Sequence, residues 1–116
     1  MRPTNQASRL RIVLVTCPTR AVATRIASAL VKGRLAACVN IVPSVESLFW
    51  WKGAVERARE CLLIIKTTTT RFPQLTRTVV SFHPYGVPEV IAFPISAGYQ
   101  PYLRWIHAAI TPHHKG

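Results

Sequence analysis

Apolar and polar positions along the first third of the chain predict a strand followed by a helix. Leu10–Thr16 is almost wholly apolar and rich in β-branched residues, which is typical of a strand covered on both faces. Apolar residues then recur at helical spacing between Thr19, a candidate N-cap, and Lys32. Gly33 follows the last periodic turn, where the residue that ends a helix in a left-handed conformation is expected.

The middle of the chain predicts a long β-hairpin. Leu35–Val42 is a second apolar run, Pro43 is expected to bend or bulge it, and Val45–Trp51 continues in the same direction. Trp51-Lys52-Gly53 predicts the turn. The returning strand is polar at first and apolar over Cys61–Ile65, so its first half is expected to be solvated and its second half central. The polar residues of its first half are Glu56, Arg57, Arg59 and Glu60.

The last third of the chain predicts a helix, a strand and a second helix. Apolar residues share one helical face after Thr70, and Pro73 is tolerated because it falls in the first turn. Glu89–Ser96 is a fourth apolar strand, in which Pro94 favours an edge position. Pro101 opens a last helix with one apolar stripe. The apolar positions of the two helices are Phe72, Leu75, Val79 and Phe82, then Tyr102, Trp105, Ile106, Ala109 and Ile110.

The order of these elements indicates an α+β domain with a ferredoxin-like split βαβ fold (βαββαβ) and an extra C-terminal helix. The domain is expected over residues 10–110, between a disordered tail at 1–9 and a tail at 111–116. Both main helices of this fold cover one face of the sheet. Because the strands do not alternate apolar with polar residues, the other face also needs a cover, and further copies of the chain are the expected one.

The composition shows that the chain is strongly positively charged. The net charge is +11, from 15 Lys and Arg against four carboxylates, all of them Glu, which favours anionic partners. The third strand, CLLIIKT, lacks the aromatic residues with which RNA-recognition domains stack bases. We therefore predict salt-sensitive, non-specific binding to nucleic acid and no sequence-specific recognition of RNA.

The cysteines and the hydropathy place the chain in a reducing, aqueous compartment. Three cysteines without a CxxC spacing argue against a disulfide framework and against a zinc ribbon. No apolar run approaches ~20 residues, which argues against a membrane span, and the N-terminus lacks the apolar core of a signal peptide. A cytoplasmic location is the resulting prediction.

One short loop, His83–Glu89 (HPYGVPE), concentrates the candidate chemistry. Pro84 and Pro88 stiffen it and Gly86 permits a tight turn, so an imidazole, a phenol and a carboxylate stand in a fixed relation. Such a loop suits a metal ion or a small polar ligand, although a helix-terminating proline turn explains the same residues. No nucleophile has the acid partner that a catalytic triad needs, so no enzyme is predicted.

Several strings in unbroken order resemble the CutA divalent-cation-tolerance proteins. The resemblance implies a ferredoxin-like protomer, a tight homotrimer joined through long hairpins of the second and third strands, and tolerance of copper and other divalent cations. No reaction and no organic cofactor are implied. The strings are Leu35–Asn40 (LAACVN), Trp51–Gly53 (WKG), Ile65–Thr67 (IKT), His83–Tyr85 (HPY) and Pro88-Glu89, with Tyr102-Leu103 and Trp105 near the end.

The same resemblance implies a metal site. The family's histidine and glutamate correspond to His83 and Glu89. The family's cysteine falls at Val15, and Cys17 takes its place because residues two apart on a strand share a face. A thiolate, an imidazole and a carboxylate suit Cu(II) or Zn(II).

Two other functions compete with metal binding. The first is a PII-like trimer that holds a small ligand, or acts as a signalling scaffold, in clefts between subunits. Its candidate cleft residues are Trp51, Tyr85 and Lys66, the last beside a run of threonines. The second is an RNA-binding ferredoxin-like domain, which the third strand disfavours. Three further histidines, His107, His113 and His114, are interpreted as solvated.

Overall fold

A computed structural model describes residues 9–112 of the chain. The predicted element order is confirmed, and the predicted tail residues 1–8 and 113–116 lie outside the described part. The elements are β1 Leu10–Cys17, α1 Arg20–Lys32, β2 Cys38–Trp51, β3 Ala54–Thr68, α2 Phe72–Phe82, β4 Ile91–Pro94 and α3 Gln100–Ile110.

The four strands form one antiparallel sheet in the order β2-β3-β1-β4. β1 is central, and it pairs with β3 from Leu10↔Thr68 to Cys17↔Cys61 and with β4 on its other edge. This is the strand order of the split βαβ fold that the sequence predicted. None of the helices in residues 9–112 is long and apolar enough to cross a membrane.

Helices α1 and α2 cover one face of the sheet and enclose the main core. Odd-numbered residues of β1 and β3 point into it because successive side chains of a strand alternate between faces. The core side chains are Val13, Val15, Cys17, Cys61, Leu63 and Ile65 from the strands, with Ala23, Ile26, Leu30, Leu75 and Val79 from the helices.

The N-terminal cap of α1 is the one that the sequence predicts, whereas the left-handed residue after its C-terminus is a different one. Thr19 caps the helix as predicted, because its hydroxyl accepts a hydrogen bond from the Val22 N–H at 3.2 Å. Gly33, predicted to be the left-handed residue, has φ −82°, and Arg34 has φ 60° instead. The helix still ends at Lys32 as predicted, and only the left-handed residue lies one position later than the glycine indicated.

Helix α3 lies on the opposite face and covers only one end of it. Its residues Leu103, Ile106 and Ile110 bury Leu10 in a second, smaller core. The rest of this face carries a continuous group of apolar side chains that are half-buried or exposed within one chain. This group, which we call the open sheet face, is Ile12, Leu14, Leu62, Ile64, Ile91 and Phe93.

The β2–β3 hairpin extends beyond the sheet as a two-stranded arm. Residues 45–51 and 54–60 pair with each other, whereas β1 reaches only as far as Cys61 on β3. The predicted bulge lies between Val42 and Val45. Lys52 and Gly53 turn the chain with φ of 51° and 81°, as a two-residue hairpin turn of type I′ requires. A hairpin of two strands is marginally stable on its own.

Several predicted boundaries and exposures are wrong for identifiable reasons. Residues 35–37 precede β2, because the N–H groups of Leu35 and Ala36 both donate to the Leu30 carbonyl. β4 is limited to Ile91–Pro94, although the Ile95 N–H directly beyond it still donates to the Leu10 carbonyl. β3 continues to Thr68, three residues beyond the end of the apolar run Cys61–Ile65.

Two predicted faces are also wrong. In α3, Tyr102 and Trp105 are exposed and stack on each other with ring centroids 5.6 Å apart, and Leu103 takes the buried position. In β3, Glu60 was expected to be solvated with the rest of the polar half of the strand. It is only 7% exposed, because Tyr85 packs against it.

Candidate functional site

A cavity of about 950 Å³ lies between the hairpin arm and the loop that follows His83. Thr16 at the end of β1 forms part of its wall, with Phe49 and Trp51 from the arm and Tyr85 from the loop. The chain has only four carboxylates, and all four line this cavity. They are Glu46, Glu56, Glu60 and Glu89.

The cavity is acidic although the chain as a whole is strongly basic. Arg57 is the one basic residue among the described residues that line it. Its guanidinium is paired with Glu46 at 2.7 Å, so the charge of one of the four carboxylates is balanced locally. The sequence separates these glutamates widely, and the arm and the loop bring them together.

Glu60 and Tyr85 form the most enclosed polar contact of the cavity. The Tyr85 hydroxyl donates a hydrogen bond of 2.8 Å to Oε2 of Glu60. Desolvation, followed by this hydrogen bond and the nearby negative charge, raises the pKa of Tyr85 to about 12. The phenol therefore remains protonated at neutral pH and keeps donating to the carboxylate.

His83 is held by hydrogen bonds at both ring nitrogens. The Tyr85 backbone N–H donates to Nδ1 at 3.2 Å, so this nitrogen carries no proton. Nε2 then donates to the Thr16 carbonyl at 2.7 Å. The ring is neutral in this arrangement, is buried, and lies 4.6 Å from the Tyr85 ring between centroids.

Cys17 and Glu89 also lie next to Thr16. Cys17 follows it in β1, but its side chain points to the opposite face and is fully buried in the main core. Burial, the neighbouring Cys61 and the charge of Glu60 raise the pKa of the Cys17 thiol to about 11. Burial and Glu60 also raise the pKa of Glu89, and a hydrogen bond from Thr16 acts in the opposite direction.

Comparison with known proteins identifies the fold family. Residues 11–109 match the family described as CutA1 divalent ion tolerance protein. A divalent-cation tolerance protein CutA from Thermus thermophilus is 52% identical over 95 residues, which is 82% of this chain and 92% of that protein. The chain belongs to the CutA1 family. The solved structure of a Cut A1 protein from the same organism has a TM-score of 0.82 at 50% identity, covering 84% of this chain and 94% of that one.

Other CutA proteins are longer than the shared domain. Protein CutA of Mus musculus is 52% identical over 93 residues. The matched region is 80% of this chain but only 52% of the mouse protein. A relative from Oryza sativa is named a chloroplastic CutA protein. The family and these relatives are named for CutA or for tolerance of divalent cations, and not for a reaction.

The ligand set that the CutA resemblance implies remains a prediction. Cys17, His83 and Glu89 all adjoin Thr16, so the structure brings them to one end of β1. Within residues 9–112 of one chain, no group of three or more His, Cys, Asp or Glu side chains is arranged to hold a metal ion. Both nitrogens of His83 are engaged and the Cys17 thiol is protonated, so these three side chains do not fit a metal site as they stand.

The cleft candidates of this CutA1 chain divide into two places. Trp51 and Tyr85 line the same cavity. Lys66 lies elsewhere on the sheet, where its Nζ contacts the Asn40 side chain and lies 3.8 Å from the Cys38 sulfur. The residue that sequence reasoning missed is Glu60, and its only local signal is its position directly before the apolar run of β3.

Replacing Tyr85 with Phe is expected to lower the free energy of unfolding by about 1–2 kcal/mol, because a buried carboxylate loses a hydrogen bond. Denaturant unfolding at neutral pH measures the change. Tyr99→Phe, at a tyrosine that is highly exposed, is the matched control and should have no effect. Equal effects of the two substitutions would show that the bond to Glu60 does not stabilise the loop.

Proposed function

We propose that this chain is a trimeric divalent-cation tolerance protein that acts by binding cations and not by catalysing a reaction. The observation that carries the proposal is the placement of the chain's four carboxylates on one cavity. A chain with a net charge of +11 repels cations in general. An acidic cavity gives it a local region that attracts them.

The electrostatics inside the cavity support a cation as its ligand. Burial, and after it the charge of Glu60, raises the pKa of Glu89, as expected for two carboxylates that repel each other across the cavity. A bound cation relieves this repulsion because it offsets both charges. The aromatic rings of Trp51 and Phe49 also line the cavity and exclude part of the water from it.

We propose Cu(II) or Zn(II) as the metal and His83, Glu89 and Cys17 as the candidate ligands. His83 needs to release one of its two hydrogen bonds before a ring nitrogen is free to coordinate. Cys17 needs to lose its proton and to reach the metal from the core side of β1. Since neither condition is met in the single chain, we derive no step that passes through the metal.

The trimer is proposed from surfaces that one chain leaves uncovered. The open sheet face exposes Ile91 and Phe93, and the arm exposes Leu48, Trp50 and Val55 near its tip. Contiguous apolar surface of this kind is typical of subunit interfaces. Copies of the same chain supply a matching apolar surface, and the two-stranded arm is long enough to reach a neighbour.

A small ligand in the cavity is the second candidate function. The volume of about 950 Å³ lies within the range of small-molecule sites, and aromatic side chains beside a few charged groups are typical of such sites. This alternative corresponds to the PII-like scaffold. Under either function we propose a cytoplasmic protein without an organic cofactor.

A tolerance assay tests the proposed function. Expression of the wild-type chain in a bacterium that lacks its own CutA protein is expected to restore growth in elevated copper. Glu89→Gln, which keeps the size of the side chain but removes one charge of the cavity, is expected to restore less. Rescue by neither protein at equal abundance contradicts the proposal, and equal rescue by both contradicts the role of the cavity.

A further inference from the structure

The negative side chains of the molecule are confined to one region, whereas the positive ones are spread over the whole chain. All four carboxylates line the cavity by the arm, so the layer formed by α1 and α2 contains none. Both helices carry only positive charges. They are Arg20, Arg25 and Lys32 in α1 and Arg77 in α2, with Arg71 directly before α2.

An open groove of about 660 Å³ runs over this helix layer. Arg20 and Arg25 line it with two hydroxyl residues, Thr24 and Ser28, all from successive turns of α1. Phe82, the last residue of α2, also lines the groove and is 39% exposed. Two arginines, two hydroxyl residues and one aromatic ring thus line one surface, which Ala21 and Ala29 make largely apolar at its floor.

We propose that this groove binds single-stranded nucleic acid. Guanidinium groups form paired hydrogen bonds with phosphate, and hydroxyl groups donate to phosphate oxygens. The ring of Phe82 offers a surface on which an unpaired base can stack. An acidic peptide satisfies the charges of Arg20 and Arg25 but supplies no base for the ring, and a duplex keeps its bases inside.

The groove does not overlap the open sheet face that we propose for contact between subunits. It lies over α1 and α2, on the opposite side of the sheet from the open sheet face. A trimer then displays three such grooves, which favours a polymer over a single phosphate because one strand can reach more than one groove. The proposal does not depend on metal binding, since the groove and the cavity share no residue.

Fluorescence anisotropy with a labelled oligothymidylate of about 20 nucleotides tests the proposal at several salt concentrations. Each phosphate contact of a single strand contributes about 0.7 to the slope of log affinity against log salt. Arg20→Gln/Arg25→Gln is therefore expected to reduce that slope by about 1.4 and to weaken binding about 25-fold near 0.1 M salt. Phe82→Leu is expected to weaken binding without changing the slope.

The matched control removes the same charge at other places. Lys52→Asn/Arg104→Gln alters the turn of the arm and the exposed side of α3, and it is expected to leave the affinity within about twofold of the wild type. Equal losses in the two double variants overturn the proposal, because they show a general effect of net charge. Equal affinity for a duplex, for polyglutamate or for anionic lipid vesicles overturns it as well. Unfolding curves of each variant confirm that the fold is retained.

Discussion

Phe93→Asp is expected to abolish the trimer and the cooperative unfolding of the protein. Phe93 is 46% exposed in the single chain and lies at the centre of β4 on the open sheet face. If copies of the chain cover that face, the substitution buries a carboxylate without a partner in every subunit. The penalty for an unpaired buried ion is several kcal/mol, and the symmetry of the assembly repeats it at each interface.

A control on the helix layer separates this effect from simple exposure. Val80 in α2 is 50% exposed in the single chain, so a lone chain should tolerate Val80→Asp about as well as Phe93→Asp. We expect Val80→Asp to leave both the mass and the unfolding midpoint unchanged. Light scattering on a sizing column should give about three times 12.9 kDa for the wild type and this control. A folded wild-type monomer at micromolar concentration contradicts the trimer.

Cu(II) is expected to bind the wild type and to bind His83→Ala about 100-fold more weakly or worse. Removal of a residue that only hydrogen-bonds to a metal ligand lowers metal affinity by about 10–100-fold. Removal of a ligand itself is expected to cost at least as much. Coordination by His83 costs one of its two hydrogen bonds, about 0.5–1.5 kcal/mol, which a metal bond easily exceeds. Deletion from Thr111 onward should leave the affinity unchanged. Calorimetric titration measures all three proteins.

Glu89→Gln tests the second ligand without the packing loss of His83→Ala. The folded protein raises the pKa of Glu89, so this group favours folding below its unfolded pKa and loses that contribution as the pH rises through the folded value. Gln imitates the neutral carboxyl and should therefore not lower stability at neutral pH. A weaker Cu(II) affinity in this variant then reports lost coordination and not a damaged fold.

The role of Cys17 is decided by proton release in the same titrations. The thiol has a pKa of about 11 and loses its proton when it coordinates a metal. Titration in two buffers of different ionisation enthalpy should show about one proton released per metal if Cys17 takes part. If the tail deletion abolishes binding and His83→Ala retains it, then His113 and His114 held the metal and the loop is structural.

The fold follows from the sequence because its signals are local and repeated. The β-branched run of β1, the helical spacing in α1 and α2, and Pro43 before the bulge each identify an element without reference to the others. The exact ends of the strands and helices were harder to predict. Leu35 is held against the end of α1 because its N–H and that of Ala36 both donate to the Leu30 carbonyl, and apolar character alone does not reveal such bonds.

The site was predicted only in part, because its contacts join distant parts of the chain. The loop His83–Glu89 was singled out from its prolines and its polar residues. Nothing near Glu60 indicates that Tyr85, from a loop beyond α2, packs against it and buries it. In the same way, the thiol of Cys17 is protonated because the main core surrounds it, and that core is built mainly by residues from four elements, β1, α1, β3 and α2.

The two-residue turn of the arm also determines the order in which the protein assembles. Strands joined at Lys52-Gly53 can pair within about 1–10 μs, whereas β1 meets β3 only after α1 and β2 have been placed between them. The arm can thus pair early, and in the proposed trimer its exposed Trp50 packs only when another chain supplies a surface. Completion of that assembly requires an encounter between chains, so its rate depends on the protein concentration.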